Sequence, residues 1–91
     1  MSESAYELLV AGPAARAIAE DLPEAVAAAV IEFVTGALIE NPHRVGHELR
    51  NELAGIMSAR RGTFRTLYRV DDDRRVVTVL RVDHGRDVYR T

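Results

Sequence analysis

Residues 55–84 read GIMSARRGTFRTLYRVDDDRRVVTVLRVDH, a run that alternates apolar with polar side chains and is rich in Val, Tyr, Phe and Thr. Two turn signals, Gly62-Thr63 and Asp72-Asp73, interrupt it. A period of two with that punctuation specifies three antiparallel strands. With Gly62-Thr63 as a two-residue turn, Arg61 falls opposite Phe64, Arg60 opposite Arg65 and Ser58 opposite Leu67. Two arginines facing each other destabilise a sheet unless an anion lies between them. With Asp72-Asp73 as a second such turn, Leu80 falls opposite Arg65, and Val82 and His84 follow on the same face. Arg60, Arg65 and His84 are therefore expected to converge. The competing reading is a solvated outer face whose arginines pair with nearby Asp or Glu.

The remainder of the chain supplies little beyond support for this sheet. At 91 residues it is expected to be one domain, 1–91. The hydrophobic share of 47% allows a modest core, and without cysteine neither disulfides nor thiolate metal ligands can reinforce it. A partner is expected to add stability. The start, MSESAYELLVAG, lacks the basic residues and long apolar run of a secretory signal, and no stretch has the length of a membrane span, so a cytoplasmic protein is expected.

Net charge is −2, which argues against a generic nucleic-acid binder, but the distribution is uneven. Residues 1–43 hold one arginine, Arg16, against seven acids, whereas residues 44–91 hold eleven arginines against seven acids. All twelve basic residues are Arg. A GC-rich genome accounts for the absence of Lys; the positions of the arginines carry the functional information, because guanidinium groups make planar, multidentate contacts to phosphate.

Tyr6–Val10 reads as a short first strand ended by Gly12-Pro13. Ala15, Ile18 and Leu22 recur at helical spacing, giving a first helix to about Asp21. Pro23 opens a second helix with the stripe Val26, Val30, Phe33, Val34, Ala37 and Leu38, stopped by Asn41-Pro42. Glu24, Glu32 and Glu40 mark its solvated side. His43–Asn51 is a polar connector that enters beside the first strand of the arginine hairpin. The His43/His47 pair lacks the Glu of a zincin motif, and no P-loop occurs, so no metal or cofactor is expected.

Clustered Arg with His and Tyr, without an acidic cluster for magnesium, suits metal-independent cleavage of RNA. The ribose 2′-OH attacks the adjacent phosphate, which requires a base, cations for the phosphorane charge and an acid for the 5′-oxygen. Arg60 and Arg65 are the candidate cations. Histidine is the side chain suited to proton transfer near neutral pH, which makes His84 the natural acid or base, and Tyr89 can donate a proton or stack on a base. A plain anion- or partner-binding module fits the same spacing.

Taken in order, Leu49–Gly55, Ser58–Tyr68, the Asp-rich turn, the valine strand and Asp83–Arg90 follow a strand and two helices in a way that resembles the RelE branch of the RelE/ParE toxin superfamily, notably the RelE-like toxins of actinobacteria. The resemblance covers nearly the whole chain and is strongest from Leu49 to Arg90. It implies a microbial-ribonuclease-like α+β fold, with a short N-terminal strand and two helices packed on a twisted antiparallel sheet of about four strands. It also implies the toxin of a type II toxin–antitoxin system: a ribosome-dependent endoribonuclease that cleaves mRNA in the A site and is neutralised by a cognate antitoxin, the complex binding operator DNA through that antitoxin.

By the resemblance the catalytic positions fall on Arg60, Arg65, His84, Arg86 and Tyr89. RNA contacts fall on Arg50, Ser58 and Arg61, and the base aligns near His47 or Glu48. Met57 stands where an aromatic is usual, Ser58 at a basic position and Gly85 at an arginine of the C-terminal motif. Two other readings remain: a ParE-like inhibitor of DNA gyrase with the same fold, and a toxin that only binds its antitoxin, which Ser58 and Gly85 favour.

Overall fold

The computed structural model describes residues 5–50 and 53–84. In chain order these form β1 (Glu7–Val10), α1 (Gly12–Arg16) running into a π-helical segment (Ala17–Asp21), α2 (Glu24–Val34), α3 (Ala37–Glu40), β2 (His47–Glu48), β3 (Met57–Arg61), β4 (Phe64–Asp71) and β5 (Val76–His84). The strands make one mixed sheet ordered β1-β5-β4-β3-β2, in which only the β1–β5 pair is parallel. The expected α+β architecture is present, with five strands in place of about four. The additional one, β2, lies inside the polar connector, and two residues are too few to display a period. It is held by the Leu49 N–H donating to Ile56 O at 2.8 Å.

One sheet face carries the core. Val30, Phe33, Val34 and Leu38 of the expected stripe are buried against Met57, Ala59, Phe64, Tyr68, Val77, Val79 and Val82. The second helix is interrupted at Thr35-Gly36, where the Thr35 hydroxyl donates back to Ile31 O at 2.6 Å, so Leu38 reaches the core from the separate turn α3. In the first helix Ala14 and Ala17 are buried while Ala15 is exposed. The wide turn explains this: the Leu22 N–H donates to Ala17 O, five residues back, at 2.9 Å, which changes the angular spacing on which the expected stripe relied.

The β3–β4 hairpin follows the expected register, Arg61 with Phe64, Arg60 with Arg65 and Ser58 with Leu67. Gly62 supplies a φ of 54° in its turn, a conformation that side chains disfavour. The β4–β5 hairpin departs from expectation twice. Its loop runs through Asp72, Asp73, Arg74 and Arg75, with Asp71 paired to Val76, the Arg74 N–H donating to Asp71 Oδ1 at 3.1 Å and Arg75 at φ 57°. Beyond the Tyr68–Val79 pair the register shifts, so that Leu67 pairs with Arg81, Arg65 with Asp83 and Phe64 with His84. Leu80 is the extra residue of a β-bulge. The longer loop alone preserves the parity of the faces; a one-residue bulge inverts it for everything that follows. Asp83 therefore stands opposite Arg65, where Leu80 was expected, and His84 belongs to the core-side face.

Tyr68 fixes the strand beside the bulge. It is fully buried, its hydroxyl donates to Pro42 O at 2.6 Å, and burial pushes the phenol up to about 12. Gly46 closes over it: a Cβ at that position would meet the Tyr68 hydroxyl and lie 2.6 Å from Ser58 O.

Candidate functional site

An arginine face and the cleft beside it

The sheet face away from the helices presents His47 and Ser58, paired across β2–β3, then Arg60 beside Arg65, with Arg81 and Asp83 contributed by β5. Alternation along each strand puts these side chains on one surface. Asp83 is the local counterion. Its Oδ2 lies 3.4 Å from Arg65 Nη2 and its Oδ1 3.0 Å from Arg81 Nε. Arg65 is half-buried, and its Nε is enclosed with no hydrogen-bond partner among the described residues. An Asp thus neutralises Arg65, as the competing reading has it, while one carboxylate serves two guanidinium groups and the enclosed Arg65 Nε has no partner among the described residues.

The other expected site residues divide by face. Ser58 is buried. Arg61 lies on the core-side face with its guanidinium 4.8 Å from the centroid of Phe33, apart from the Arg60–Arg65 pair. Of the two candidate bases, His47 shares the open face, whereas Glu48 pairs with Met57 on the other and accepts the Gly55 N–H at 2.9 Å, closing the connector. Arg50 is exposed on that connector. His84 does not converge with Arg60 and Arg65; the bulge turns it to the face of Phe64. Arg86 and Tyr89 lie outside the described residues.

His84 lines a cleft of 470 Å³ together with Arg16, Asp21, Arg81 and Asp83. Arg81 and Asp83 are common to the cleft and the arginine face, so the two adjoin at the end of β5. Sequence reasoning did not bring Arg16 or Asp83 to the site. A separate, mostly apolar groove of 730 Å³ runs between α2 and the β3–β4 hairpin, lined by Val26, Ala29, Phe33, Ala37 and Phe64 with Arg61.

At the opposite end of the sheet the Tyr6 hydroxyl donates to Asp72 Oδ1 at 2.6 Å, and His43 Nε2 lies 2.9 Å from the same oxygen and 3.1 Å from Oδ2. The Tyr6 bond, then that of His43, holds the Asp72 carboxyl below its usual range, and the same bond to Asp72 raises the Tyr6 phenol. The Arg75 guanidinium stacks 4.3 Å from the Tyr6 ring centroid. This cluster ties β1, the connector and the β4–β5 loop together. Among the described residues no group of His, Cys, Asp or Glu has the arrangement of a metal site, and no helix is long and apolar enough to cross a membrane.

Residues 10–89 match the family described as the ParE toxin of the type II toxin–antitoxin system parDE. The chain belongs to that family of toxins. Within it, the chain is a RelE-like toxin. It is 58% identical to Toxin RelG of Mycobacterium tuberculosis over 69 residues, 76% of this chain and 79% of that one. It is 44% identical to Toxin RelE of the same organism over 85 residues, 93% of this chain and 87% of that one. Among solved structures, the toxin–antitoxin complex RelBE2 of M. tuberculosis contains a chain that superposes with a TM-score of 0.84 at 50% identity, covering 88% of this chain and 98% of its own length. The isolated E. coli RelE toxin superposes at 0.73 and 21% identity, covering 96% and 88%, a likeness of fold.

Proposed function

We propose that this toxin is a metal-independent endoribonuclease that cleaves mRNA in the A site of translating ribosomes and so inhibits translation. The observation that carries the reading is the direct cross-strand pairing of Arg60 with Arg65 on the open face, together with the enclosed Arg65 Nε that is unsatisfied among the described residues. A phosphodiester presents negative oxygens to both guanidinium groups at once, and its arrival displaces the Arg65–Asp83 contact.

The 2′-oxygen then bonds to phosphorus as its proton passes to a base, and the bond from phosphorus to the 5′-oxygen breaks as that oxygen takes a proton. The products are a 2′,3′-cyclic phosphate and a 5′-hydroxyl. His47, on the face of Arg60, is the base the geometry favours over Glu48, which is engaged with Gly55. Arg60 and Arg65 stabilise the charge that builds on the phosphorane. His84 reaches the reaction only if the RNA turns the end of β5. Arg86 and Tyr89, which the resemblance places among the catalytic positions, act as a further cation and as acid or stacking platform. Arg50 and Arg61 guide the flanking RNA, and the buried Ser58 is left to pack beneath the pair.

The partner we infer is a cognate antitoxin, in keeping with the RelBE2 complex, through which the pair would bind operator DNA. The cytoplasm, where ribosomes and mRNA meet, is the compartment this reading requires.

Primer extension on a reporter mRNA in cell-free translation tests the reading. Wild-type protein is expected to produce discrete cuts that need ribosomes and that added antitoxin suppresses. No cuts, with inhibition of DNA supercoiling by gyrase, would replace it by gyrase poisoning; no effect in either assay would leave a protein that only binds its antitoxin.

A further inference from the structure

The cleft at the end of β5 is built by two departures from regular backbone. The π-helical segment Ala17–Asp21 lines one wall, and the strand that follows the Leu80 bulge lines the other. Both devices re-aim side chains and recur at functional sites. β1 pairs with β5 only as far as Val79, where the Ala11 N–H donates to Val79 O at 2.8 Å. Among the described residues no strand pairs with that edge of β5 further on, and α1 with its π turn flanks it instead. The cleft opens there.

Its charges are specific. Arg16 is the single arginine among the first 43 residues, and it lines this cleft together with His84. Of the two carboxylates that line it, Asp83 has its oxygens directed at Arg65 and Arg81, and Asp21 is the other, against the cations Arg16 and Arg81 and the imidazole of His84. A volume of 470 Å³ is within the range of pockets that hold a compact organic ligand, and a single nucleotide is of that size. Unstacked bases of single-stranded RNA are commonly held by stacking on His rings or Arg guanidinium planes and by hydrogen bonds to their edges.

We propose that this cleft is a nucleotide subsite, holding the nucleotide next to the scissile phosphate through contacts of Arg16 and His84 to its phosphate. The inference rests on the ribonuclease reading for its substrate, and it gives the RNA a path: across Arg60 and Arg65, past Arg81, around the end of β5 and into the cleft. On that path His84 comes to the substrate although it belongs to the other face of the sheet. Arg16 is then a positioning contact to the RNA backbone that lies outside the cross-strand pattern of the hairpins.

The test uses the whole protein without ribosomes. 2′-Deoxyadenosine 3′-monophosphate, which lacks the attacking hydroxyl, is titrated while the NMR signals of the His84 ring and the Arg16 guanidinium are followed. A saturable shift of both is expected, absent with deoxyadenosine. Arg16→Ala should weaken binding about tenfold, the loss of one charge-assisted hydrogen bond, with Arg16→Lys recovering part of it. Arg44→Ala, an exposed arginine on the connector, should bind as wild type does.

A silent His84, or equal affinity in Arg16→Ala, overturns the subsite. An equal response to a short acidic peptide overturns its assignment to a nucleotide. Because binding is read without cleavage, a protein that binds the nucleotide and cuts no mRNA keeps the subsite and loses the ribonuclease reading. One that cuts mRNA while His84 stays silent keeps the reading and loses the subsite.

Discussion

The two hairpins share β4 and differ in regularity. The β3–β4 hairpin turns in two residues and pairs without interruption from Met57–Tyr68 to Arg61–Phe64. The β4–β5 hairpin turns in four and takes up an extra residue at Leu80. The regular hairpin brings like charges together, Arg60 against Arg65. The irregular one delivers the counterion of Arg65, Asp83, and sends His84 to the other face. A local insertion of one residue decides which chemistry stands opposite Arg65, because side-chain direction in a strand has a period of two.

The largest effect that sharpens this comparison is on the arginine pair itself. Arg65→Ala is expected to lower cleavage of ribosome-bound mRNA by about 10²–10³-fold, the cost of removing a preorganised group from developing charge, measured as single-turnover rate. The fold should survive, because Arg65 is outside the core cluster. A wild-type rate would reduce the pairing to surface decoration.

A smaller effect probes the point where the hairpins meet. Gly46→Ala presses a methyl group on the Tyr68 hydroxyl and Ser58 O next to the bulge, and should cost about 1–3 kcal/mol in denaturant unfolding, as overpacking does. No loss would mean that Tyr68 does not fix β4 there.

The smallest concerns the loop of the irregular hairpin. The Asp72 carboxyl is depressed in the folded state, so its bonds to Tyr6 and His43 contribute stability above the ordinary carboxylate range, and that contribution fades as pH falls through the lowered value. The melting temperature of wild type should therefore drop more steeply on acidification than that of Asp72→Asn. Parallel curves would show that the exposed cluster adds nothing.

The contrast also marks what the chain discloses on its own. The register of the first hairpin followed from Gly62-Thr63 alone, since a two-residue turn leaves no freedom, and the helical stripe Val30, Phe33, Val34 and Leu38 followed from spacing. The bulge escaped because Asp72-Asp73 offered an equally short turn, yet it left a trace: apolar residues occupy 77 and 79, then 82, with Val79 and Leu80 adjacent. That change of parity is the signature of an extra residue. Arg16 was not legible as a site residue, because the π turn rotates the first helix relative to the α-helical spacing assumed for it. β2 was hidden by its length. The arginine pair was readable from local pairing; its neighbours depend on backbone irregularities that propensity does not encode.

The central claim, that the bulge sets Asp83 and not His84 on the face of Arg65, is tested most directly by cross-strand nuclear Overhauser contacts in the isotopically labelled protein. With the bulge in place, backbone contacts join Tyr68 to Val79, Thr66 to Val82 and Phe64 to His84. Contacts joining Thr66 to Arg81 and Phe64 to Asp83 would mean an uninterrupted ladder. That result would return His84 to the arginine face and remove Asp83 from it.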